Sequence, residues 1–205
     1  MQTNSSVGQY EVYTSVADST PLGNIITGLV LFTLWPVLFG LADTSAMAAV
    51  LPWALAACPL ILLTSVQAFK AGNVIGAVAN GVLSGVTLVQ NGIWGAVVVV
   101  YTAAGRTVPE AIAGVKGYVD GAAFLAAAFM LLCISATFVR LKNGPMAFFM
   151  GVICLGFICM GLSDLGLVNL RTPAAVCIMA FAGWMLYSGS AMLMHVTLGK
   201  KALPY

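Results

Sequence analysis

The sequence predicts an all-α integral membrane protein with six transmembrane helices, and three observations carry that prediction. Of 205 residues, 61% are hydrophobic and only 7% charged, against about 25% charged in a soluble domain. Mean hydropathy is +1.03, an apolar excess that a soluble core of this size could not hide. The apolar residues also fall into six runs, each reaching the roughly 17–25 residues needed to cross about 30 Å of hydrocarbon.

In chain order, residues 1–21 are polar and lack the basic start and apolar run of a signal peptide, so they read as a tail. Residues 22–198 form the membrane domain, with runs over 22–42, 47–68, 74–101, 119–139, 146–166 and 173–198. Residues 199–205 are a second short tail. Pro36, Pro52 and Pro59 predict kinks in the first two spans. Lys70-Ala71-Gly72-Asn73 and Lys142-Asn143-Gly144-Pro145 read as tight polar links. The connection 102–118 and the first tail are the largest remainders, too small for a catalytic domain. An even number of spans puts both termini on one side. Five basic residues fall on that side (Lys70, Arg140, Lys142, Lys200, Lys201) and three on the other (Arg106, Lys116, Arg171). The positive-inside rule therefore places both termini in the cytoplasm, in an inner or plasma membrane.

Several function classes drop out. A formal charge of +2 leaves no footprint for nucleic acid. The five cysteines sit in apolar stretches without a CxxC pair, and His195 is the only histidine, which excludes a metal centre. No nucleotide fingerprint or nucleophile–base pair is visible, so the sequence reads neither as an enzyme nor as the holder of a cofactor.

Polar groups are costly in lipid, so their placement is informative. In the third run, Asn73, Gly76, Asn80, Ser84, Thr87 and Asn91 recur every three or four residues and form one stripe of a helix. Val78, Val82, Val86, Val89 and Ile93 form an apolar stripe on the other side. The polar stripe has two readings: interhelical hydrogen bonding worth about 0.6–2 kcal/mol per residue, or the lining of a narrow solute path. Asn24 and Thr27 share a face of the first span. Asp43, Asp120 and Asp164 lie near span ends, where the ordinary reading is an interfacial charge. Asp164 and His195 are the two candidates for a proton or pH-sensing group. Gly72, Gly76, Gly81 and Gly85 on the third span allow close helix approach, as do Gly151, Gly156, Gly161 and Gly166 on the fifth. The number of such glycines suggests a homo-oligomer.

Thr20-Pro21-Leu22-Gly23 resembles the second half of the Asn-Pro-Ala-Pro-Leu-Gly-Leu signature of the acetate uptake transporter family, the acetate/succinate–proton symporters of bacteria and fungi. Lys70-Ala71-Gly72-Asn73-Val74-Ile75-Gly76 resembles that family's basic-x-Gly-Asn-Thr-Phe-Gly segment. Trp184-Met185-Leu186-Tyr187 and 198–204 resemble its aromatic pair and terminal Gly-Arg-x-x-Leu-Pro.

The resemblance implies a six-helix subunit in a hexamer, with an anion path within each protomer. It also implies a constriction made by Phe, Tyr and Leu on helices one, three and five. Those positions fall here on Thr27, Leu83 and either Gly151 or Cys154, a trio that would be wider and less aromatic. The signature's Asn is Asp18 here, and the late Glu and Asn of the last helix fall on Met192 and His195.

The expected protein is a transporter or channel for a small monocarboxylate such as acetate, with or without proton symport. Its path would comprise Pro21, Leu22, Asn24, Thr27, Asn80, Leu83, Ser84, Thr87, Asn91, Gly151, Cys154 and Tyr187. Free backbone N–H groups at 21–24 would suit an anion. The alternative is a channel for a neutral solute such as urea, ammonia or an amide, favoured by a lining without buried Lys or Arg.

Overall fold

A computed structural model of the chain describes residues 19–43, 46–199 and 203. The expected tail up to residue 18, with Asp18 of the signature, lies outside the described residues. So do Lys200, Lys201 and the side chain of Thr87.

Among the described residues all regular structure is helical. The elements are α1 (Thr20–Thr33), α2 (Trp35–Leu38), α3 (Met47–Lys70), α4 (Val74–Thr87), a π-helical segment (Leu88–Ile93), α5 (Trp94–Ala103), α6 (Glu110–Arg140), α7 (Gly144–Asp164) and α8 (Arg171–Leu198). Five stretches are long and apolar enough to cross a bilayer: α3, the continuous α4–π–α5 run, α6, α7 and α8.

The first run differs from expectation. Its helix α1 has 14 residues, about 21 Å at 1.5 Å per residue, short of the hydrocarbon thickness. Pro36 explains the break, because it has no N–H to bond the carbonyl of Phe32 and its ring crowds that turn. The chain resumes as the four-residue α2 and then turns at Gly40, whose φ is +69°. By contrast α3 runs on as one helix through both Pro52 and Pro59. A second difference is α6, which begins at Glu110 rather than Val119. It starts after Pro109, with Glu110 in the first turn, where a carboxylate meets the positive end of the helix dipole.

Two helix pairs repeat the same bonding 70 residues apart. Asn73 accepts from the N–H of Gly76, and Asn143 from that of Met146. Ser65 donates to the carbonyl of Ala77, and Ser135 to that of Ala147. Ser84 donates to the carbonyl of Cys58, and the Cys154 thiol to that of Ala128. The left-handed turn residue is Gly72 in one link and Lys142 in the other, at φ +79° and +57°. The hairpins α3–α4 and α6–α7 are thus two copies of one unit.

Glycines set the closest approaches. A Cβ on Gly121 would lie 2.9 Å from the carbonyl of Gly161, so α6 and α7 touch backbone to backbone there. A Cβ on Gly28 would lie 2.7 Å from Leu186, and one on Gly189 would lie 2.9 Å from the carbonyl of Pro21, which clamps α1 against α8. A Cβ on Gly156 would meet Cys177 at 3.0 Å. Gly156 and Gly161, expected to serve oligomer contacts, are therefore used within the protomer. The core between the helices holds Leu131, Ile153 and Phe181 without exposure, while Phe129 and Val196 point outward at 70% and 72% exposure. Apolar residues both inside and outside are what a lipid solvent demands.

Candidate functional site

Two cavities enter the bundle from opposite ends. The smaller, about 180 Å³, lies where α1, α4 and α7 begin and α6 and α8 end. Three helix N-termini therefore gather at its end of the bundle with their positive dipole ends, two of them capped by Asn73 and Asn143. Asn24, Asn73, Asn80 and Asn143 line it on the polar side, Met146, Met150, Met185 and Met192 on the apolar side. The Asn73 amide donates to Thr20 Oγ1 at 3.1 Å, which ties the starts of α1 and α4 together.

The larger cavity, about 370 Å³, lies at the other end, where α3, α6 and α8 begin and α7 finishes. Its charged groups are Lys116, Asp120, Asp164 and Arg171. Lys116 and Asp120 are one turn apart on α6 and form an ion pair. The same ammonium donates to Gln90 Oε1 at 3.1 Å and stands 4.7 Å above the Trp94 ring. Asp164 Oδ1, at the end of α7, faces Arg171 Nη2, at the start of α8, across 3.9 Å. The Gly121–Gly161 contact just inside this cluster holds α6 and α7 close enough for their two aspartates to share one cavity. The π-helical segment brings the adjacent side chains Gln90 and Asn91 to the same cavity.

Leu83 belongs to the walls of both cavities and is 3% exposed. It is the candidate partition between them. Of the other residues expected on a path, Asn24 and Asn80 line the smaller cavity, and Asn91 and Asp164 the larger one. Asn24 and Asn80 also bond across helices: Asn24 donates to Ser188 Oγ at 3.2 Å and Asn80 to Thr64 Oγ1 at 3.4 Å.

Apart from Thr87, whose side chain lies outside the described residues, the remaining expected residues line neither cavity. Thr27 is 1% exposed, and its hydroxyl has no hydrogen-bond partner among the described residues. Ser84 and Cys154 spend their donors on the facing helix, which makes them interhelical contacts rather than lining. Gly151 sits near Ser135 in the α6–α7 hairpin. Pro21 opens α1, and Leu22 is half exposed beside it. Tyr187 lies 5.7 Å from Trp184, which stacks on Phe149 at 4.5 Å. His195 sits in the last turn of α8.

Lys116, Arg171, Gln90 and Trp94 were not anticipated. Lys116 and Asp120 have the i, i+4 spacing of a helical pair, but that signal is readable only if the helix is known to begin before residue 119. The lysine also removes the ground for favouring a neutral solute, since its side chain is only 21% exposed and lines a cavity.

No protein-family model matches the chain, and no curated protein matches it in sequence. Among solved structures, the chain is similar to that reported as the structure of the bacterial acetate channel SatP. The TM-score is 0.72 at 13% sequence identity, with 92% of this chain and 98% of that chain covered. The chain therefore has the fold of that acetate channel.

Proposed function

We propose that the protein is a six-span membrane channel or transporter for small monocarboxylates of the acetate class, working through a path within each protomer. In this reading α1 and α2 together supply the first span. The observation that carries it is the pair of cavities entering from opposite ends and sharing Leu83 as a wall. Each cavity has something for an anion: helix N-termini beside one, Arg171 in the other. A carboxylate loses much hydration free energy on entering such a place, so fixed positive ends must offset it. The likeness of fold to an acetate channel points the same way. The reading includes a homohexamer with both termini in the cytoplasm, as the family resemblance and the basic-residue asymmetry suggest.

The test is uptake into proteoliposomes of labelled acetate and labelled urea in parallel, with and without an imposed proton gradient. Saturable acetate flux that depends on the protein supports the reading, and its dependence on the gradient decides between symporter and channel. Urea flux without acetate flux would sink it.

A further inference from the structure

The larger cavity is too rich in carboxylates for a bare anion alone. A monocarboxylate near Arg171 also meets Asp164, 3.9 Å from the guanidinium, and Asp120 in the same cavity. Lys116 offers it little, because that ammonium is already shared between Asp120 and Gln90. Asp164 and Arg171 are different. At 3.9 Å they attract each other but are beyond hydrogen-bond length, so five guanidinium donors and the carboxylate oxygens keep capacity for another partner. They come from consecutive helices and close one side of a space of about 370 Å³, within the range of ordinary small-molecule pockets and far larger than acetate needs. Phe124, Phe157 and Ile178, one to two turns deeper on the same three helices, supply an apolar floor to this cavity.

We propose that the larger cavity is a binding site for a short zwitterion, an amino acid of a few carbons, with its carboxylate on Arg171 and its ammonium on Asp164. This deepens the transport reading, on which it rests for the route onward past Leu83. A zwitterion bridging the two groups from the cavity side leaves no charge uncompensated: each protein group adds a charge-assisted hydrogen bond to a loose ion pair. A solute with only one of the two charges engages one group and leaves the other with its 3.9 Å partner alone, or with solvent in the case of Arg171, whose side chain is 69% exposed.

The experiment is equilibrium binding of labelled β-alanine and glycine to the full chain in lipid nanodiscs, alongside acetate flux in liposomes. Propionate and ethylamine, each lacking one charge of β-alanine, serve as competitors. Saturable β-alanine or glycine binding is expected, with both competitors weaker by about tenfold or more, the scale of one lost charge-assisted hydrogen bond. Asp164→Asn should shift preference from amino acid towards monocarboxylate by about tenfold. Acetate flux without any amino-acid binding would overturn this proposal and leave the transport reading standing. Amino-acid binding without acetate flux would do the reverse. Equal competition by propionate, ethylamine and β-alanine would mean that the ion pairs only hold α6, α7 and α8 together, and would also overturn it. The competitor comparison uses the unaltered protein, so a poorly folded variant does not blunt the result.

Discussion

Leu83 is the residue on which the two cavities depend. Leu83→Ala removes three carbon atoms from their shared wall and should join them. Acetate flux should rise and discrimination against longer monocarboxylates should fall, measured as relative uptake of acetate and butyrate. The stability cost should be near the low end of the Leu→Ala range, about 2 kcal/mol, because part of the surround is already open. Leu83→Phe should reduce flux while the protein stays folded. Thr27→Phe should behave differently, because Thr27 is buried and lines neither cavity. It should lower stability by about 1–3 kcal/mol through over-packing, read in a thermal melt in detergent. A folded Thr27→Phe protein with altered size selectivity would put Thr27 on the path after all. The helical spacing of Asn24 and Thr27 marked one buried face. It could not say whether that face meets a cavity or a neighbouring helix, since that depends on glycines of α8 far along the chain.

Among the elements, the duplicated hairpins offer an internal control. Gly72 and Lys142 occupy the same left-handed turn position, at φ +79° and +57°. An L side chain there costs about 1 kcal/mol or more, so Lys142→Gly should stabilise the α6–α7 hairpin by about 1 kcal/mol, measured by denaturant unfolding in detergent. Gly72→Lys should do the opposite. On α6, Lys116→Met leaves the Asp120 carboxylate, 8% exposed, without its cation and should destabilise by about 3 kcal/mol. Adding Asp120→Leu should recover most of that loss, because two apolar side chains need no partner. If the double variant is as unstable as the single one, the pair is not the source of the effect. Turn chemistry made both links legible in the sequence, and the polar stripe of α4 was legible too: Asn80 and Asn91 are buried, while Val78, Val89 and Ile93 face outward. Val86 lines the larger cavity instead.

For the whole molecule, the apolar outer faces settle the solvent but not the assembly. The glycines at 156 and 161 bring helices of one protomer together, so they no longer argue for contacts between copies. The hexamer expectation rests on the family resemblance alone. Native mass spectrometry in mild detergent should give six copies; monomer across a range of mild detergents would remove that expectation. The SatP-like fold is compatible with this sequence at 13% identity because a membrane fold asks mainly for apolar runs, small residues at helix crossings and turn residues at the ends.

The sequence by itself determined the membrane environment, the positions of most runs and links, and the buried polar face of the third span. Those properties follow from local composition and periodicity, which each segment carries without its neighbours. Only the tertiary structure decided that Leu83 stands between two cavities and that Lys116, Asp120, Asp164 and Arg171 share one of them. The charged groups come from three helices, and what brings them together is the contact of Gly121 with the backbone of Gly161 and the short turn from α7 to α8. Side-chain chemistry is written residue by residue, but the distances between residues remote in the chain are set by how closely backbones can pack.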